Sequence, residues 1–314
     1  MKKTVNQSHI EGLLYEHDLT LKESGPNSKT PGTKFISGTV SIATDNNCVN
    51  VVPVHYTYVT QTTSKGTTNN NFTILEDIIN GKYKTVMKDG KDIATKISID
   101  STVGLNEFFS TQNSNEPTLV SVKRNEGGFI HILNALAENE NDRNTFKTDM
   151  LITSVKRIEA DPEKNLPEKG ILKGWIFDFR NALLPVEYTV YNDRGGIDYF
   201  ESMSPSNNNP FFTQVWGNQV SETVVRTTVT ESAFGDDAVR TTTSVKKDFV
   251  VLSCSKYPYE WDDESTMTAI ELKEAIANRE TYLATIKQRR DEYQASKVNV
   301  TPTVATGKPS TFNF

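Results

Sequence analysis

From about residue 10 to residue 256, apolar positions come in short alternating runs of Val, Ile, Thr, Tyr and Phe, broken by clusters of Gly, Asn, Asp and Pro. Alternation with period two is the signature of strands that bury one face. It predicts strands at 34–42, 49–59, 93–99, 171–179, 183–191, 222–230 and 249–253. The Thr-, Ser- and Asn-rich segments 61–71 and 204–209 predict polar loops. Helical spacing is rarer. Ile74, Leu75, Ile78 and Ile79 form i, i+4 pairs closed by Asn80-Gly81, which predicts a short helix with a glycine stop. A second, weaker helical candidate covers 130–140. The strongest runs from 268 to 296, where Thr268 and Glu271 fit a capping box and Leu272, Ile276, Leu283, Ile286 and Tyr293 fall near one stripe. Pro and Gly breaks after it predict a disordered tail over 297–314.

The chain also repeats itself. Val51-Val52-Pro53-Val54-His55-Tyr56-Thr57 matches Leu183-Leu184-Pro185-Val186-Glu187-Tyr188-Thr189. Phe35 to Gly38 resembles Ile171 to Gly174, Ala94 to Ile97 resembles Phe212 to Val215, and Ser121 to Arg124 resembles Ser244 to Lys247. Matches in one order, with unequal offsets, fit two copies of a small β domain whose loops differ in length. The period is too long for a solenoid repeat.

Composition narrows the setting. The chain has 314 residues, enough for about two domains. Its formal net charge is -6 and its mean hydropathy is -0.50. No apolar run approaches the ~18 residues of a membrane span, and the first residues lack the apolar core of a secretory leader. The 2 Cys, Cys48 and Cys254, allow no disulfide framework, so a reducing cytoplasm is expected. The 4 His are scattered, and neither a metal nor another cofactor is expected. Asp236-Asp237 and the acidic run 260–264 are the remaining cation candidates, and the run reads more simply as a helix flank. No phosphate-binding Gly-rich loop or Gly-x-Ser-x-Gly elbow occurs, so no enzyme is expected.

Each copy reads as three strands, an insertion or helix, then two strands, which is the plan of the OB fold. The expected architecture is therefore mainly β, with two tandem OB-like β-barrels from an internal duplication plus a C-terminal α-helix. Divisions fall at 1–145, 146–258, 259–296 and 297–314. The segments 9–15 and 35–44, the paired Pro-Val-x-Tyr-Thr strands and Phe212-Thr213-Gln214-Val215-Trp216-Gly217 resemble phage and bacterial single-stranded-DNA-binding proteins, the phage-encoded kind most of all. The resemblance implies sequence-tolerant binding of single-stranded DNA in phage replication or recombination, within the host cytoplasm. It further implies possible partners among replication proteins at the C-terminal tail, which ends in Phe314 but lacks an acidic run.

A single-strand groove needs cations for phosphates and rings for bases. The candidate cations are Lys34, Lys96, Lys123, Arg124, Lys173, Arg180, Arg226, Lys246 and Lys247. The Lys123-Arg124 and Lys246-Lys247 pairs recur at matching places and suggest one continuous channel. The candidate rings are Tyr58, Trp175 and Trp216, with Phe177 and Phe179 alternating beyond Trp175. Tyr56 and Tyr188 lie in matching apolar rows and read as core. Asn125 to Phe129 reads as a turn. The C-terminal helix either docks on the barrels or pairs with a second copy. Two other function classes remain open: a virion structural or assembly protein built of tandem β domains, and a protein that inhibits a host enzyme by binding it.

Overall fold

Eleven strands hydrogen-bond into a single sheet that turns back on itself twice. The computed structural model describes residues 4–111, 116–162, 166–230, 232, 234–235, 238–261 and 267–298, without the side chains of 222–229, 238, 242–246 and 296–298. In chain order the strands are β1 (Asn6–His17), β2 (Thr20–Glu23), β3 (Lys34–Ala43), β4 (Val51–Thr60), β5 (Lys96–Ser110), β6 (Thr118–Ile132), β7 (Asn144–Ile158), β8 (Lys169–Phe177), β9 (Leu183–Tyr191), β10 (Phe211–Thr230) and β11 (Ala238–Cys254). The helices are α1 (Asn70–Ile79), α2 (Val86–Asp89), α3 (Gly196–Ser202) and α4 (Ala269–Val298). The chain is mainly β, with its long helix at the C-terminal end.

Two closed circuits of pairing run through the sheet. In the first, β1 pairs with β3, β3 with β4, β4 in parallel with β6, β6 with β5, and β5 with β1. In the second, β7 pairs with β8, β8 with β9, β9 in parallel with β11, β11 with β10, and β10 with β7. The order is the same in both: three strands, a helix, two strands. The circuits meet at one seam, where Asn6–Ile10 of β1 pairs with Asn144–Thr148 of β7.

Closing so small a circuit forces strands to cross closely, and Gly174 shows how. A Cβ there would lie 2.0 Å from the carbonyl oxygen of Leu151 on β7. Gly12 of β1 has the same relation, at 2.0 Å, to the carbonyl oxygen of Ala43 on β3. Only a residue without a side chain fits either crossing.

Each circuit is filled from its inward-facing rows and plugged by its helix. Ile10, Ile36, Val40, Ile42, Val52, Val54, Tyr56, Ile97 and Ile99 are buried in the first. Phe72, Leu75 and Ile78 of α1, spaced as one helical face, close it. Asn69 caps α1 by accepting from the Asn71 amide at 3.1 Å. In the second, Phe146, Tyr188 and Phe249 pack ring to ring at 5.0–5.5 Å, and Ile197 and Phe200 of α3 close the end. Tyr56 and Tyr188 are core residues, as their rows predict.

The predicted capping box of α4 forms: the Thr268 hydroxyl accepts from the Glu271 amide at 3.2 Å, and Glu271 accepts from the Thr268 amide at 2.9 Å. The helix docks on both circuits. Met267, Leu272 and Ala275 pack on Phe177, Leu183 and Phe212 at the second circuit. A buried bidentate pair, Arg279 to Glu107 of β5, fastens it to the first.

Local expectations fail at several places, and the strand expected over 171–179 ends at Phe177. Residues 130–140 form no helix; β6 runs to Ile132 and only a short 3-10 turn follows, at Glu140–Asp142. Residues 125–129 are no turn either, because β6 continues through them as a bulge with Gly127 and Gly128 at φ 62° and 112°. The segment 93–99 is a strand only from Lys96.

Candidate nucleic-acid interface

The strand β8 carries the densest functional stripe. Its inward positions, Gly170, Leu172, Gly174 and Ile176, are buried. Alternation turns Lys169, Ile171, Lys173 and Trp175 to the opposite face. That face forms the floor of a groove of about 620 Å³, walled by β9 and by Lys123 of β6 and Lys247 of β11 from the two circuits. Four lysines there meet two carboxylates, Glu187 and Asp248. Glu187 pairs with Lys173 at 2.7 Å, and Asp248 accepts from the Thr189 hydroxyl at 2.8 Å.

Lys123 and Lys247 also border a second groove, of about 440 Å³, which continues past Arg124 and His55. The two grooves make one track along the meeting of the circuits. Lys123 is held tightly in it: its ammonium lies 5.2 Å from the Tyr188 ring centre and 5.0 Å from that of Phe249, and it donates to the Glu187 carbonyl. Desolvation in this position lowers its pKa to about 8. Arg124 pairs with Glu126 at 2.6 Å. His55, half-buried and bonded to the Thr39 hydroxyl at 3.1 Å, has its pKa lowered by burial first and then by the charges of Arg124 and Lys247. The track is therefore locally positive on an acidic protein.

The predicted residues divide accordingly. Lys123, Arg124, Lys173, Trp175 and Lys247 come together. Lys34 and Lys96 line neither groove, and Lys96 donates to the Asn134 carbonyl at 3.3 Å. Trp216 lines neither; its neighbour Gly217 does permit a close backbone approach, but the backbone is that of Val250 in the same circuit. Phe177 does not continue the exposed row of Trp175, because Leu183, Phe212 and Met267 cover it. Tyr58 leaves the buried row of Val52, Val54 and Tyr56, stacks 4.4 Å from Phe35 and bonds Ser24 and Thr30. Arg180 lies over Phe179 at 4.9 Å. The side chains of Arg226 and Lys246, the acidic pair 236–237, residues 262–264 and the tail from 299 lie outside the described residues.

Sequence reasoning missed Lys169 and His55. Lys169 was readable as the next member of the period-two row through Lys173 and Trp175. His55 gave no such signal, since its place in the track depends on β6 and β11. Among the described residues no helix is long and apolar enough to cross a membrane.

Comparison with solved structures finds similarity to a deletion mutant of the single-stranded DNA binding protein from Thermus aquaticus, at 9% identity and a TM-score of 0.45, over 84% of this chain and 100% of that one. Among curated proteins, no sequence matches. A protein family does match, along nearly the whole described chain from β1 into α4: over residues 4–289 the sequence fits the YorF family, and the chain belongs to it.

Proposed function

We propose that this protein binds single-stranded DNA with little regard to sequence and does no chemistry on it. The observation that carries the reading is the lysine track, in which Lys123, Lys169, Lys173 and Lys247 from both circuits line a groove beside the half-buried ring of Trp175. Cations spaced along a groove neutralise successive phosphates, while a ring offers a face to any base. Each circuit is read as an OB-like barrel, supported by the repeated order of three strands, helix and two strands and by the parallel closing pair in both. The second barrel would open with β7 at Asn144, two residues before the expected division. The proposed setting is protection of single strands during phage DNA replication or recombination in the host cytoplasm, with the tail as a site for replication partners.

Titration of a fluorescent oligo-dT at several salt concentrations tests the reading. Binding that weakens steeply with salt supports it. No binding at low salt, or binding without a salt slope, overturns it.

A further inference from the structure

A larger cleft, of about 1090 Å³, opens between the circuits and under α4. Its character differs from that of the lysine track. Besides the buried Tyr56, four exposed rings from four different elements border it: Tyr58 of β4, Phe129 of β6, Phe179 in the turn after β8, and Tyr282 of α4. None of the four is a buried core residue; Phe129 is 71% and Phe179 is 73% exposed. Isolated exposed rings are ordinary, but four converging on one concavity ask for a planar partner.

Several charges of the cleft are met within the protein. Glu107 is taken by Arg279 and Glu126 by Arg124, and Asp100 hydrogen-bonds the His9 ring at 2.7 Å. Asp178 accepts the backbone amides of Arg180 and Ala182 at 2.7 and 2.8 Å. The guanidinium of Arg180 stacks on Phe179 and extends that ring's flat surface. Such a cleft suits uncharged planar groups and offers little to a row of phosphates. It neighbours the lysine track, and Leu105 of β5 borders both.

We infer that this cleft is a nucleobase-stacking subsite, in which bases of a single strand leaving the lysine track lie against Phe129, Phe179 and Tyr282. The inference rests on the single-strand reading above and adds a second place for bases: the track holds phosphates beside the Trp175 ring, and the cleft stacks further bases. It also makes α4 a wall of the binding site.

The test compares wild type with Phe129→Ala, Phe179→Ala and the double variant. Both rings are mostly exposed, so folding should survive, and thermal melting checks that it does. The ligands are oligo-dT and an abasic strand of equal length, titrated across a salt series. Each substitution should weaken oligo-dT binding by roughly tenfold, leave its salt slope unchanged and leave abasic-strand binding unchanged. If wild type binds oligo-dT and the variants bind it equally well, the subsite is overturned while the lysine track stands. If oligo-dT and the abasic strand lose affinity alike, the cleft is not reading bases and the inference also falls. If wild type binds no strand at all, it is the single-strand reading itself that fails.

Discussion

The ammonium of Lys123, on β6 of the first circuit, lies 5.2 Å from the ring centre of Tyr188, on β9 of the second. A cation reaches out of one circuit and lies against a ring of the other. Desolvation is the largest influence on it, and its pKa falls to about 8 from the model-compound 10.5. Between those two values the unfolded chain keeps a proton that the folded chain has released, so this group's contribution to stability rises with pH across that window. Lys123→Met should therefore melt higher than wild type at pH 7, with the gain shrinking toward pH 10. Thermal melts at several pH values decide it, and a variant that melts lower at pH 7 shows that the ring contacts outweigh desolvation.

The salt slope of single-strand binding should report the lysine track residue by residue. Lys173→Gln and Lys247→Gln should each lower the slope of log affinity against log salt by about 0.7. Lys34→Gln and Lys96→Gln, which lie off the track, should leave it unchanged. Equal effects at all four positions would mean a diffuse surface charge and no groove.

His55 provides an internal reporter. Arg124 and Lys247 help hold its pKa below the ordinary 6.5, with Asp18 and Glu126 opposing them. A phosphate drawn to those cations adds negative charge, so a bound oligonucleotide should raise the His55 pKa; NMR titration of the ring protons with and without oligo-dT measures this. In the free protein the unfolded chain protonates first as pH drops below 6.5, so His55 makes folding less stable on acidification.

The Arg279–Glu107 pair should matter far more than a surface pair. Their side chains are 8% and 2% exposed. Glu107→Gln leaves a buried guanidinium without its counter-charge and should cost about 3–5 kcal/mol in denaturant unfolding. Lys82→Gln, which breaks an exposed pair with Asp77, should cost far less. Similar losses from both would place α4 loosely on the sheet.

How much of this was legible in the sequence depends on distance along the chain. The segment 183–191 coincides with β9, and the cap and start of α4 followed from Thr268 and Glu271, because these signals are local. The four matched segments fall on corresponding strands: β3 with β8, β4 with β9, β5 with β10 and β6 with β11. Their register did not follow. Pro185 faces Trp175, next to Gly174, whereas Pro53 faces Ser41, further from Gly38, in a strand with a bulge. The helix expected over 130–140 failed because apolar spacing there is shared by the end of β6 and a turn. Phe177 looked like its alternating neighbour Trp175; Phe177 is fully buried in a cluster completed by Met267, some ninety residues downstream, against which Trp175 is only partly buried. The Lys123-Arg124 and Lys246-Lys247 pairs recur in the sequence, but only the folded chain puts Lys123 and Lys247 on one groove.

The seam between β1 and β7 fixes the spacing of the two circuits with backbone hydrogen bonds, where tandem binding modules are commonly joined by a flexible linker. The buried side chains of Ser8, Asn125 and Gln219 brace the same junction, with Asn125 donating to Gln219 at 2.8 Å. Under the proposed function, a strand held by one circuit would meet the other at a set distance, with no linker entropy to lose and an effective concentration fixed by geometry. Avidity would then be a property of a β-ladder, and it should depend sharply on oligonucleotide length: a strand too short to reach both circuits gains nothing from the second.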